Sequence, residues 1–228
     1  MVDEERLKTI PKATSKRLPL YLRYLKMLEE NGVTRIKSRE FSEMTQIPSA
    51  TIRRDFSHLG ELGRSGYGYD VAYLIEVFCE ILNTKNEKKI AIIGCGNLGK
   101  ALINNNFGRS ENLNIIAAFD TNPQLIGEIV NGVTIEDMAS LAETVGTREI
   151  TVAISTVPSV NAQKAIEAII QSGITAILNF ASDRVKVPSQ VNMQYIDLTT
   201  ELQTLIYYDE TVQKKEKNLA FDKLKKAL

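Results

Sequence analysis

The chain has 228 residues, 43% of them apolar and 25% charged, enough for one large or two modest domains with their own cores. Polar residues interrupt every apolar stretch, which excludes a membrane span, and the acidic start Met1-Val2-Asp3-Glu4-Glu5 lacks the apolar segment of a secretory signal. Formal net charge is zero, and the two cysteines, Cys79 and Cys95, offer neither a disulfide framework nor a metal-binding spacing, so a cytoplasmic protein without a metal is expected.

The neutral total conceals a local bias. From Arg6 to Tyr67 there are 13 Lys and Arg against 6 Asp and Glu, a net +7. Phosphate contacts require charge of this kind; the bland alternative is a solvated basic surface. Thr14 or Ser15 is placed to cap a helix to Glu30, stopped by Asn31-Gly32, with Leu18, Tyr21, Leu22, Leu25 and Leu28 as its core stripe. Ser38 caps a short helix, Arg39 to Gln46, and Ser49 caps another, Ala50 to Leu59, after the tight connection Ile47-Pro48. Helix, short turn and helix read as a helix-turn-helix.

In the second of these helices Ile52 and Phe56 face the core, while Arg53 and Arg54 can reach base edges or phosphates. Ser49, Thr51, Ser57 and His58 complete the candidate DNA-facing set, and a surface helix of an interaction domain is the alternative. Four glycines between Gly60 and Gly68 suit a hairpin wing, with Arg64 placed to enter a minor groove. Asp70 caps a helix to about Leu82, and the polar run Asn83–Lys89 marks a domain boundary.

From Lys89 onward, strands at 89–94, 115–120, 149–155, 175–179 and 193–197 alternate with helices near 97–105, 137–145 and 159–172. That alternation implies a parallel sheet with right-handed crossovers, an α/β Rossmann domain over about 88–200 behind a winged helix over 1–84. The stretch 201–228 again has helical spacing, and Leu202, Leu205, Ile206, Val212, Leu219 and Leu224 form a stripe that needs a partner subunit. Its end, Lys214–Leu228, reads either as that helix or as a frayed basic tail.

Gly94-Cys95-Gly96-Asn97-Leu98-Gly99 follows the first Rossmann strand and opens a helix, and Asp120 closes the next strand. Gly94 permits the tight turn, Gly96 lets backbone amides approach a pyrophosphate, and Gly99 lets helix pack on strand. Asp120 either accepts from ribose hydroxyls, favouring NADH and NAD+ over their 2′-phosphorylated forms, or caps the turn at Asn122-Pro123. Cys95 is either a redox thiol or a small residue that fits the turn. An oxidoreductase commonly needs a His, or Tyr with Lys four residues on; the single histidine is His58, and no tyrosine has that lysine. A regulator is therefore expected over an NAD-dependent oxidoreductase with an accessory head, or over a nucleotide-tuned scaffold.

Ordered blocks along nearly the whole chain resemble the bacterial redox-sensing repressor Rex family. They include Ile10-Pro-Lys-Ala-Thr-Ser-Lys-Arg-Leu18, Arg53-Arg-Asp-Phe-Ser57, Gly60-Glu-Leu-Gly-Arg64, Gly66-Tyr-Gly-Tyr-Asp-Val71, Gly94–Gly99, Ala118-Phe-Asp120, Ile177-Leu-Asn-Phe180 and Asp197-Leu-Thr-Thr-Glu-Leu-Gln203. The resemblance implies a homodimer with swapped C-terminal helices, bound to an inverted-repeat operator in double-stranded DNA and released by NADH but not NAD+. It places Phe107 beside the nicotinamide, with Thr156-Val157-Pro158 and Asn179-Phe180-Ala181 lining the remaining pocket. It also implies an inter-domain contact of Arg23 with Asp197. One departure stands out: Asn105 replaces the family's usual tyrosine in that contact, which implies a weaker or differently wired redox response.

Overall fold

A computed structural model describes residues 10–64, 67–107 and 112–211, and the chain divides into two compact units, Met1–Asn86 and Glu87–Leu228. The first unit runs α1 (Lys12–Ser15), α2 (Leu18–Glu30), β1 (Arg35–Ile36), α3 (Ser38–Thr45), α4 (Ser49–Ser57), β2 (Gly63–Arg64), β3 (Gly68–Asp70) and α5 (Val71–Ile81).

The single helix expected from Thr14 is two. Pro19, in the first turn of α2, has no N–H for a bond to Ser15, so α1 stops and α2 starts afresh. Thr14 is not a cap either; its hydroxyl donates to Asp55 Oδ1 at 2.9 Å. Ser38 and Ser49 are first helical residues rather than caps, the flanking positions being held by Lys37 and Pro48. Glu40 Oε2 instead accepts from the Lys37 amide at 3.0 Å, and Asp70 caps α5 as expected by accepting from the Tyr73 amide at 3.0 Å.

The glycine-rich wing forms as an antiparallel hairpin, Gly63 opposite Tyr69, and β1 adds a third strand through Arg35 opposite Asp70. That extra strand is only two residues long, too short to show a period-two pattern. The head packs Tyr21 and Leu25 of α2 against Phe41, Ile52, Phe56, Leu74 and Phe78, all buried. Phe56 is its aromatic hub, edge-on to Tyr21 and to Phe78 at 5.5 Å and to Tyr69 at 4.9 Å.

The second unit runs β4 (Lys88–Ile93), α6 (Asn97–Asn105), β5 (Leu113–Asp120), β6 (Ile129–Val130), β7 (Val133–Asp137), a 3₁₀ turn (Met138–Ser140), α7 (Leu141–Arg148), β8 (Val152–Ser155), α8 (Ser159–Gln171), β9 (Ala176–Asn179) and β10 (Asn192–Tyr195). A final helix, α9, is described over 198–211. The sheet order is β10-β9-β8-β4-β5-β7-β6, parallel except for the β6–β7 hairpin. The hairpin and the sixth parallel strand, β7, were not among the expected strands, because Gly132 and scattered polar residues break their short apolar pattern.

Alternation sends Ile90, Ile92, Ile115 and Ile135 to one face, against Ile103 of α6. Ala91, Ile93, Ala117 and Ala153 face the other, against Leu141 and Val145 of α7 and Ile166 and Ile169 of α8. The strand order reverses between β4 and β8, the chain adding β5 and β7 on one side of β4, and β8, β9 and β10 on the other. In such sheets the crevice beyond the strand ends at that switch point takes ligands. No described helix is long and apolar enough to cross a membrane. The tail Lys214–Leu228, assigned above to a helix or basic tail, lies outside the described residues.

Candidate nucleotide cleft and nucleic-acid interface

At the switch point the C-terminal ends of β4 and β8 open into a cleft of about 760 Å³. The loop from β4 to α6 forms its floor. Gly94 has φ +91°, and a Cβ there would stand 3.0 Å from Val157 Cγ2 and 3.2 Å from the Thr156 carbonyl carbon. At Gly99 a Cβ would collide with the Gly94 carbonyl oxygen. Gly96 is different: nothing lies within 4 Å of its Cβ position, so the space beside it belongs to the cleft. Thr156 Oγ1 donates to the Gly94 carbonyl at 2.5 Å and ties the two loops together.

Gly96 holds the N-cap position of α6 with no side-chain cap, and its carbonyl accepts from the Lys100 amide. The amides of Asn97, Leu98 and Gly99 thus occupy a first turn where the helix offers no carbonyl, at its positive dipole end. That arrangement suits an anionic diphosphate. Asp120 ends β5 beside this loop. Its Oδ2 accepts from the Cys95 amide at 2.6 Å and its Oδ1 from the Asn122 amide at 2.8 Å, so the turn-capping alternative is realised. Each oxygen keeps a second lone pair, and the residue still lines the cleft.

Gly94, Gly96, Asn97, Leu98, Gly99, Asp120, Thr156, Val157 and Pro158 all line this cleft. Cys95 does not. Its side chain is fully buried, Sγ donates to the Phe119 carbonyl at 3.4 Å, and burial, helped by the Asp120 charge, pushes the thiol up to about 12. Of its two readings the small turn-filling residue holds, because a neutral buried thiol is a poor redox centre.

Phe107 and Phe180 are half-buried against the Ile90–Ile92–Ile103 cluster rather than in the cleft lining. Phe107 also has φ +47°, a conformation seldom held by a bulky side chain. Asn179 is buried at the end of β9, in register with Ser155. Asn179 Nδ2 and Ser155 Oγ are buried polar atoms without a hydrogen-bond partner among the described residues, both on the sheet face of the cleft-lining Ile93. Unpaired donors of this kind fit a cleft built for a polar ligand.

Sequence reasoning missed the rest of the wall. Leu125 and Met138 follow from the overlooked β5–β7 region, and Asn161, Lys164, Ala165 and Ala168 lie on one face of α8. Their spacing of three, four and seven residues was the available signal. Asp120 and Lys164 are the charged residues among those lining the cleft.

The head presents a second surface. Along α4, Ile52, Asp55 and Phe56 are buried, Ser49 and Thr51 are half-buried, and Arg53, Arg54, Ser57 and His58 are exposed on the outward side. Arg53 Nη1 donates to Ser38 Oγ at 3.2 Å, joining the exposed rim of α3 to α4. Arg64 stands in β2, and its side chain lies outside the described structure. Arg23 is exposed, its guanidinium 5.4 Å from the Tyr24 ring centroid, and Asn105 is exposed at the end of α6. Asp197 precedes α9 and caps it, accepting from the amides of Thr199 and Thr200 and from Thr200 Oγ1 at 2.7 Å. That hydroxyl bond, with the backbone ones, holds the carboxyl below its ordinary range. Among the described residues, no group of three His, Cys, Asp or Glu side chains is placed to hold a metal.

Over 204 residues, 90% of this chain and 95% of the relative, the sequence is 71% identical to the redox-sensing transcriptional repressor Rex 2 of Enterococcus faecalis (strain ATCC 700802 / V583). The chain belongs to the Rex family. A second Rex repressor, from Latilactobacillus sakei subsp. sakei (strain 23K), is 53% identical over 201 residues, covering 88% of this chain and 97% of that relative. A family model described as "Putative DNA-binding protein N-terminus" matches residues 9–57, and one described as "CoA binding domain" matches 85–182. Among solved structures, RSP, a Rex-family repressor, in complex with beta-NAD+ and operator DNA superposes with TM-score 0.82 at 34% identity, over 92% of this chain and 97% of that one. RSP in complex with beta-NADH gives 0.80 at 33% identity, over 91% and 98%. The resemblance and the winged-helix-plus-Rossmann class read from the sequence both stand on these matches.

Proposed function

We propose that this protein is a cytoplasmic, homodimeric Rex repressor that binds an inverted-repeat operator through its head and senses the NADH/NAD+ ratio through its cleft. NADH releases it from DNA, and it catalyses no reaction. One observation carries the reading: a chain 71% identical to a Rex repressor has both an outward Arg53–Arg54 face and a cleft lined by Gly94, Gly96, Gly99 and Asp120.

In this reading the first-turn amides of α6 hold the diphosphate, Asp120 takes the adenosine ribose hydroxyls, and Leu125, Met138, Ala165 and Ala168 flank the adenine. Thr156–Pro158, Asn179, Phe180 and Phe107 serve the nicotinamide end. The bound cofactor supplies the signal, since its ring is charged when oxidised and neutral when reduced. The chain's part is to couple that difference to the head, with Arg23, Asp197 and Asn105, which stands in place of the family's tyrosine, as the switch residues. The non-catalytic reading is supported by the lone histidine, His58, ending α4 in the head unit. Dimerisation is supported by α9, where Leu198, Leu202, Leu205, Ile206, Tyr207 and Tyr208 are all exposed.

Arg54→Ala tests the interface. Operator affinity is expected to fall about tenfold or more at fixed salt with NADH affinity unchanged. Unchanged operator affinity removes Arg54 from the interface; loss of both reports unfolding.

A further inference from the structure

The buried face of α4 carries a charge that core packing does not need. Asp55 is 1% exposed and accepts four hydrogen bonds: from Arg17 Nε and Nη2, both at 2.6 Å, from Tyr21 OH at 2.7 Å and from Thr14 Oγ1 at 2.9 Å. Those donors come from α1, from the residue preceding α2 and from α2 itself, so a single carboxylate joins three parts of the head to the helix that bears Arg53 and Arg54. About four lone-pair sites are available to a carboxylate, and all are taken.

Apolar contacts from Ile52 and Phe56 bury the helix but tolerate rotation and sliding, whereas a forked guanidinium–carboxylate pair is directional. A buried ion pair is a weak source of stability compared with hydrophobic residues of the same volume. Its more valuable property here is geometry. Base readout depends on bidentate placement of side chains within a few tenths of an ångström, while attraction to phosphate does not.

Resting on the repressor reading above, we propose that Asp55 is the positioning residue of the recognition helix: its bonds to Arg17, Tyr21 and Thr14 set the rotation of α4 and thereby operator discrimination. Charge alone predicts the opposite sign. Removing a carboxylate from a basic head strengthens binding to any DNA; misplacing α4 weakens binding to the operator only.

The test compares the full-length parent with Asp55→Asn, titrating operator and scrambled duplexes at one salt concentration, well below the melting temperature of either protein. For the variant, operator affinity falls about tenfold or more, scrambled-DNA affinity is unchanged or tighter, and NADH affinity is parental. A merely structural role lowers the melting temperature and scales both DNA affinities together, so an unchanged operator-to-scrambled ratio overturns the proposal. Tyr21→Phe, which removes one donor and keeps the ring contacts, is read in the same way if Asp55→Asn does not fold. There the ratio falls severalfold, and an unchanged ratio again overturns the proposal. A parent that does not prefer its operator overturns the repressor reading itself, and this inference with it.

Discussion

Asp120 shows how one side chain can serve fold and ligand together. By accepting from the amides of Cys95 and Asn122 it pins the glycine loop before any ribose arrives. Asp120→Ala is therefore expected to cost stability as well as selectivity: NADH preference over NADPH falls about tenfold, and the melting temperature drops. An unchanged preference in competitive titrations would remove Asp120 from the ribose. Asp55 gives a pH-dependent case. Burial alone would raise its pKa, but the bonds from Arg17, Tyr21 and Thr14 outweigh burial and hold it below the ordinary carboxylate range. A depressed folded-state pKa contributes stability that is intact above the unfolded value, about 4, and disappears as pH falls through the folded one. The melting-temperature gap between parent and Asp55→Asn should be constant from pH 7 to about 5 and close below about 4; a gap that widens in acid contradicts this. At this scale the sequence was only partly legible. Glycines and Asp120 announced themselves by spacing, but Asp55, directly after Arg53-Arg54 and before Phe56, carries no spacing signal of its own. Its partners Thr14 and Tyr21 stand 41 and 34 residues away.

Among the elements, the β4–α6 turn separates two uses of glycine. Gly99→Ala forces a Cβ onto the Gly94 carbonyl, so the turn itself must shift, and both thermal stability and NADH affinity are expected to fall. Gly96→Ala meets no protein atom but enters the cleft. Its melting temperature should stay within a few degrees of the parent while NADH affinity drops at least about tenfold. Calorimetry and fluorescence titration of the pair check this, and parental NADH affinity in Gly96→Ala would place the diphosphate elsewhere. Helices and central strands were legible because their apolar periods run for several residues, as in α2 and β5. The elements overlooked, β1 and the β6–β7 hairpin, are short; β1 pairs with β3, distant in sequence (Arg35 opposite Asp70), and the hairpin's two strands are too brief and too mixed in polarity to show a period. Leu125 and Met138 were lost from the expected cleft for the same reason. Helix starts slipped by one residue at Ser38 and Ser49, where Lys37 and Pro48 hold the cap positions instead.

For the whole molecule, α9 exposes six large apolar residues. Leu202, Leu205 and Ile206 belong to the stripe expected over 201–228; its other members, Val212, Leu219 and Leu224, lie outside the described residues. Leu202→Asp with Ile206→Asp should convert a dimer into monomers in sedimentation experiments, with operator affinity lost because two half-sites are no longer held together. A dimer that persists would move the interface off α9. The central claim is coupling: cofactor state in one unit controls DNA binding by the other. Neither periodicity nor motif spacing reveals coupling, because it is a free-energy difference between two conformations rather than a property of either site. Its most direct measurement is a titration of labelled inverted-repeat operator with purified protein, at fixed salt, with NADH or NAD+ added. Release of the operator by NADH and retention with NAD+ is the predicted result; operator binding indifferent to both cofactors would contradict it.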